Sequence, residues 1–199
     1  MTPPSKIFPT LAALALLAGL GCFGTTQPVV FHTLQAVAPR GTRPRPGLAV
    51  EILPVLLPEV LLRPQFVASL GAGSVELLPG HRWADPLDQD IQRVVVEDLA
   101  RILGSDRIVA APYGPRVGAA FRVEVRVLRC DGRPGGTLAL RTTWMITRPG
   151  VERALVLGRT DRDVPVAGPG GEALAAAHAL ALAGLCEELA QALPAPTMP

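Results

Sequence analysis

The stretch Phe121-Arg122-Val123-Glu124-Val125-Arg126-Val127 decides the fold. Apolar and charged side chains alternate strictly, which is the period of a strand with one face buried and the other in water. Leu138, Leu140, Thr142, Trp144 and Ile146 repeat the pattern at every second position. Between them lies Asp131-Gly132-Arg133-Pro134-Gly135-Gly136, a cluster of turn formers, so the two segments predict an antiparallel hairpin. A third strand over residues 153–159 extends this meander, because loops between neighbouring strands are short.

Upstream of the hairpin, residues 85–104 carry helix punctuation at both ends. Asp85 reads as the N-cap, Pro86 as the first helical residue and Gly104 as the stop. Ile91, Val94, Val95, Leu99, Ile102 and Leu103 recur at helical spacing, while Arg93, Glu97 and Arg101 share the other side. Such a helix packs on a sheet. Further strands are expected at 29–37, 48–53 and 107–111, with a hairpin of 65–70 and 74–78 turning through Gly71-Ala72-Gly73. Arginines and prolines alternating over 39–47 exclude a helix there. A second helix, 172–193, lines one side with Leu174, His178, Leu182, Leu185, Leu189 and Leu193. The expected fold class is α/β, a single-domain sandwich of a mixed, largely antiparallel sheet with two main helices.

The 199 residues suit one domain. Charge is nearly balanced at +2, and the arginines are scattered, which argues against a nucleic-acid partner that must neutralise several phosphates. Lys6, the sole lysine, precedes an apolar run over residues 7–20 that is too short to span a bilayer and ends in small residues. Gly19-Leu20-Gly21-Cys22 resembles the bacterial lipobox, with Gly19 where Leu is usual. The expected organisation is a signal peptide over 1–21, lipidation at Cys22, a tether over 22–28, the folded domain over 29–193 and a disordered tail over 194–199. Because Asp does not follow the cysteine, the periplasmic face of the outer membrane of a Gram-negative envelope is the expected location.

Chemistry-bearing patterns are sparse. His32, His81 and His178 lie in different elements with no local nucleophile or carboxylate motif, and no Gly-x-Ser-x-Gly elbow or phosphate loop occurs. Cys22, Cys130 and Cys186 form no Cys-x-x-Cys. No catalytic residue, cofactor or metal site is therefore expected. Cys130 and Cys186 could pair in an oxidising compartment, although isolated buried thiols are the commoner outcome.

Arg63-Pro64-Gln65, the run Arg82-Trp83-Ala84-Asp85-Pro86-Leu87, the helix closing at Gly104-Ser105-Asp106-Arg107 and the strand ending Arg129-Cys130-Asp131-Gly132 together resemble the paraquat-inducible protein C family. These proteins are also described as ABC-type transport auxiliary lipoproteins. The resemblance implies a non-enzymatic periplasmic lipoprotein that works with a mammalian-cell-entry (MCE) domain protein in intermembrane lipid transport, with a mixed α/β fold and a possible ring of like copies. Arg63, Gln65, Arg82 and Trp83 are then the candidate residues, either bracing proline-rich backbone or meeting a partner. Two other readings fit the same sequence: a lipoprotein that itself holds a small apolar ligand or lipid beneath its helices, and an outer-membrane assembly factor.

Overall fold

A computed structural model describes residues 28–71, 73–151 and 153–195. The expected signal peptide, Cys22, the tether as far as residue 27 and residues 196–199 lie outside the described residues. What is described is one mixed sheet of eight strands carrying two helices. The expected α/β class holds.

The sheet is organised around β6 (Phe121–Gly132), the strand whose alternation was legible from sequence. β7 (Thr137–Thr147) runs antiparallel along its whole length, and β8 (Val156–Pro165) continues the meander. The opposite edge of β6 is shared in succession. β2 (Val50–Ile52) pairs parallel with its start, Leu56 bridges to Arg126, and β3 (Gln65–Gly71) meets its end at Gly132. Between these contacts the chain bulges out in a short 3-10 turn over Glu59–Leu61. β4 (Ser74–Trp83) returns beside β3, and β1 (Val30–His32) adds a parallel edge to β4. β5 (Ile108–Ala110) closes the other end beside β2.

Both helices cover the side to which Phe121, Val123, Val125 and Val127 point. α1 (Leu87–Leu103) places Ile91, Val94, Val95, Leu99, Ile102 and Leu103 wholly out of water, as its spacing requires. Gly104 ends it in the left-handed conformation with φ 59°, where a Cβ would be strained. α2 (Gly171–Ala192) is long and apolar enough to cross a membrane on composition, but about two-thirds of it is buried within the domain, which makes it a core helix. The layer between helices and sheet is filled, with Leu138, Leu140, Leu182, Leu185 and Leu189 fully covered.

Four expectations shift in detail, one being the hairpin strand expected over 74–78, which runs on through Trp83 and so carries Arg82 and Trp83 into the sheet. The strand expected over 29–37 pairs only over Val30–His32. Residues 34–38 still need partners for their backbone, and α1 supplies them. Asp90 accepts from the Leu34 amide at 2.8 Å, Asp98 from the Ala38 amide at 2.8 Å, and Arg93 and Arg101 donate to the carbonyls of Leu34 and Ala36. Helix α1 begins at Leu87, one residue later than expected, with Pro86 as its cap and no side-chain cap bond from Asp85. Finally, β8 begins later and runs further than 153–159. Its inward Arg162 reaches Glu188 at 3.2 Å and the Gly184 carbonyl at 3.2 Å on α2, so ion pairing holds a polar stretch that carries no apolar alternation.

Candidate functional site

The candidate residues converge on the ribbon β1–β4–β3. Its register aligns Phe31 with Arg82 and Arg82 with Gln65, then Val67 with Leu77 and Ser69 with Val75. Strand alternation sends neighbours to opposite faces. The helix-facing set is His32, Phe66 and Trp83. Trp83 is 4% exposed, its ring centroid lies 4.0 Å from that of Phe66, and it meets the α2 residue His178 edge-on at 5.2 Å. Such stacked and edge-to-face pairs are the favoured aromatic geometries. Its backbone amide donates to the Pro64 carbonyl at 2.7 Å, which ties the Arg63-Pro64-Gln65 segment to the end of β4.

The three histidines, far apart in sequence, gather around this stack. His32 Nε2 and His81 Nδ1 share a hydrogen bond at 3.0 Å, and His178 Nδ1 donates to the Leu174 carbonyl at 2.8 Å. Burial holds the pKa of His32 below its usual value, the neighbouring His81 adds to the effect, and Glu172 opposes it. Burial likewise lowers that of His178, against hydrogen bonds to the backbone of Leu174 and Cys130 and the charge of Asp131. The lowered values of His32 and His178 favour their neutral forms, and the imidazoles here bond to one another, to backbone and to aromatic rings, as structural groups do. No cluster of His, Cys, Asp or Glu able to hold a metal occurs among the described residues.

The opposite face of the ribbon points away from both helices. It carries Phe31, Arg82, Gln65, Val67, Leu77, Ser69 and Val75. Phe31 is 62% exposed, Val75 44% and Leu77 42%. Arg82 and Arg63 are exposed and make no side-chain hydrogen bond or ion pair within the described residues. The four candidates therefore part company: Trp83 braces the core, while Arg63 and Arg82 are free to meet something outside the domain. Phe31, Leu77 and Val75 were missed in sequence, because strand residues of this kind read as core until the sheet's edge and its uncovered face are known.

A groove of about 410 Å³ takes in the Val67, Ser69 and Val75 end of this face and is also lined by Val60, Leu61, Leu128 and Cys130. Its rim is polar: Arg129 pairs with Asp131 and donates to Ser69 Oγ at 3.3 Å. The thiols of Cys130 and Cys186 are both free and buried, so the possible disulfide does not form.

Residues 32–190 match the family described as the ABC-type transport auxiliary lipoprotein component. The chain belongs to this family. The match takes in both helices and nearly the whole sheet, including Arg63, Gln65, Arg82 and Trp83. No curated protein matches. Among solved structures, an uncharacterized protein aligns with a TM-score of 0.66 at 17% identity, covering 83% of this chain and 98% of that one. Protein XCC0632 from Xanthomonas campestris aligns with a TM-score of 0.65 at 16% identity, covering 81% and 91%. At such identities these likenesses establish a shared fold. The auxiliary lipoprotein thus belongs with transport components of the cell envelope, not with a known enzyme family.

Proposed function

We propose that this auxiliary lipoprotein is a non-enzymatic tethering component of an MCE-type ABC system that moves lipids between the two membranes of a Gram-negative envelope. The observation that carries the reading is the family match over residues 32–190, joined to the lipobox-like Gly19-Leu20-Gly21-Cys22 just ahead of it. On this reading residues 1–21 are removed as a signal peptide, Cys22 bears the lipid, the tether leads into a domain over 29–193, and the tail 194–199 is disordered. The lipid holds the domain on the periplasmic face of the outer membrane. Several acyl chains on one residue make such anchoring stable where a single chain is marginal. Copies of the chain associate with one another, and an MCE-domain protein docks on them.

The test is an affinity pull-down of the lipidated chain from detergent-solubilised envelopes of its native host. Recovery of an MCE-domain protein is expected. Its absence, with anchoring intact and control partners recovered, overturns the reading. Light scattering of the purified chain reads the proposed self-association.

A second reading rests on the groove beside Val60, Leu61, Val67 and Leu128, whose size and apolar walls suit a lipid tail. A chain that carries lipid retains it through purification, and native mass spectrometry detects the added mass. The assembly-factor reading is separated by gene neighbourhood, where a permease, an ATPase and an MCE-domain gene favour transport.

A further inference from the structure

From the placement of β1 we infer that the helix-free face of the β1–β4–β3 ribbon, centred on Phe31 and Arg82, rests on the membrane surface and sets the orientation of the domain. The inference depends on the proposed lipidation of Cys22 and goes beyond it, because an anchor alone leaves a domain free to tumble.

Chain length makes the first part of the case. Phe31 follows Cys22 by nine residues. Fully extended, nine residues reach at most about 32 Å. A domain of this size is itself on the order of 40 Å across. The rim that carries β1 is therefore held near the lipid, and β5 lies at the other end of the strand order from it.

Surface chemistry makes the second. On this face of the ribbon the exposed side chains are Phe31, Leu77 and Val75 around the cation Arg82, and none of the face's residues is an acid. An aromatic ring and aliphatic side chains beside an arginine suit the headgroup boundary. The ring enters the acyl margin, and the guanidinium stays at the phosphates on its apolar stem. Phosphate also suits arginine's planar fork, and Arg82 has no side-chain hydrogen bond or ion pair among the described residues to give up. The Ser69 and Val75 end of the face runs into the groove already described, whereas Phe31 and Arg82, on the part of the ribbon nearest the anchor, are not among that groove's lining residues. The lipid surface is the occupant that both arguments favour.

The experiment uses the full chain, produced in a bacterium that processes lipoproteins, with Cys22 acylation read by intact mass. It is reconstituted into vesicles of phosphatidylethanolamine with a minor share of phosphatidylglycerol, brominated along the acyl chains. Phe31→Trp is compared with Tyr113→Trp, which lies just beyond β5 at a position 98% exposed. The buried Trp83 and Trp144 give both variants the same background, and matching thermal melts show that both fold. Quenching of Phe31→Trp at least about two-fold stronger than that of Tyr113→Trp is expected, and adding Arg82→Glu should weaken it. Equal, weak quenching in an acylated chain overturns the inference while leaving the anchor intact. An unacylated Cys22 overturns the anchor and the inference together. A Phe31→Trp signal that ignores the lipid but shifts when an MCE-domain protein is added assigns the face to that protein and overturns the lipid contact.

Discussion

Gly158 lies flat against the indole of Trp144, its partner in the β7–β8 register, so closely that a Cβ added at 158 would fall 2.1 Å from a ring carbon. The indole is 8% exposed, and its Nε1 donates to Thr160 Oγ1 at 3.1 Å, which in turn donates to Glu188 Oε2 on α2 at 2.5 Å. Sheet and helix are joined through this chain of contacts, and the Nε1 hydrogen bond fixes the ring against Gly158. Gly158→Ala should therefore cost about 3 kcal/mol, the upper end of the overpacking range. Urea denaturation reads the loss. A second substitution, Trp144→Leu, should recover part of it, since the two residues act through one contact. An alanine at 158 with unchanged stability would show that the ring is not held as described.

Asp98 is wholly buried on α1 and serves the Ala38 amide through Oδ1, while Oδ2 has no partner. Burial raises the carboxyl's pKa, against the Ala38 amide and the Arg101 charge. Asp98→Ala leaves a buried amide unpaired and should cost about 1–3 kcal/mol. Asp98→Asn keeps the acceptor and removes a desolvated charge, so it should cost less. Equal losses in denaturant melts would mean that the charge, not the acceptor, is what residues 34–38 require.

Those same residues mark the boundary of what could be read from sequence. The β6–β7 hairpin was legible because burial on one face writes itself as a period of two, and the end of α1 was legible because only glycine takes its left-handed cap comfortably. Residues 29–37 look equally strand-like, yet an extended chain does not say which element will satisfy its amides. Asp90, Arg93, Asp98 and Arg101 do so from a helix, and from sequence Arg93 and Arg101 read as an ordinary solvated face. The site divides in the same way. Arg63, Gln65, Arg82 and Trp83 were legible as a cluster through family resemblance. That Trp83 turns inward onto Phe66 and His178 while Phe31 and Arg82 turn outward depends on pairings across 17 to 95 residues of chain, which no local pattern encodes.

The Trp83 and Arg82 environments predict opposite outcomes for neighbouring substitutions. Trp83→Ala opens a cavity between Phe66 and His178 and should cost about 3–5 kcal/mol. Arg82→Ala and Arg63→Ala, both exposed and without a side-chain partner among the described residues, should stay within about 0.5 kcal/mol of the parent. Thermal melts of the three variants check this. A folded Arg82 variant that has lost membrane or partner contact would place its role outside the domain.

Both described thiols should be inert in the folded protein. Burial pushes Cys130 up to about 12, aided by the charge of Asp131, and holds Cys186 well above the ordinary thiol range. Only the thiolate attacks an alkylating reagent. Iodoacetamide at pH 8 should leave both unmodified in native protein and label both in denaturant, as peptide mass spectrometry reads. Rapid native labelling of either would contradict its burial.

The histidine cluster predicts how stability responds to acid. The folded-state pKa values of His32 and His178 lie below the unfolded value of 6.5, with burial the leading cause in each. Below that pH the unfolded chain takes up protons that the folded chain resists. Their contribution is therefore fully present above about pH 6.5 and is lost as pH falls toward the folded values. Beside burial, His81 lowers the His32 value further and Glu172 opposes it. Asp98 works in the opposite sense, because its raised pKa lets the folded state hold a proton more readily than the unfolded chain. Comparing variants isolates the histidines from it. Between pH 7.5 and 5.5 the parent Tm should fall on the order of several degrees, and His32→Gln should fall less. A His32→Gln slope equal to the parent's would leave His178 as the sole source of the acid response. A parent whose Tm is flat across this range would mean that neither imidazole is held neutral by the fold.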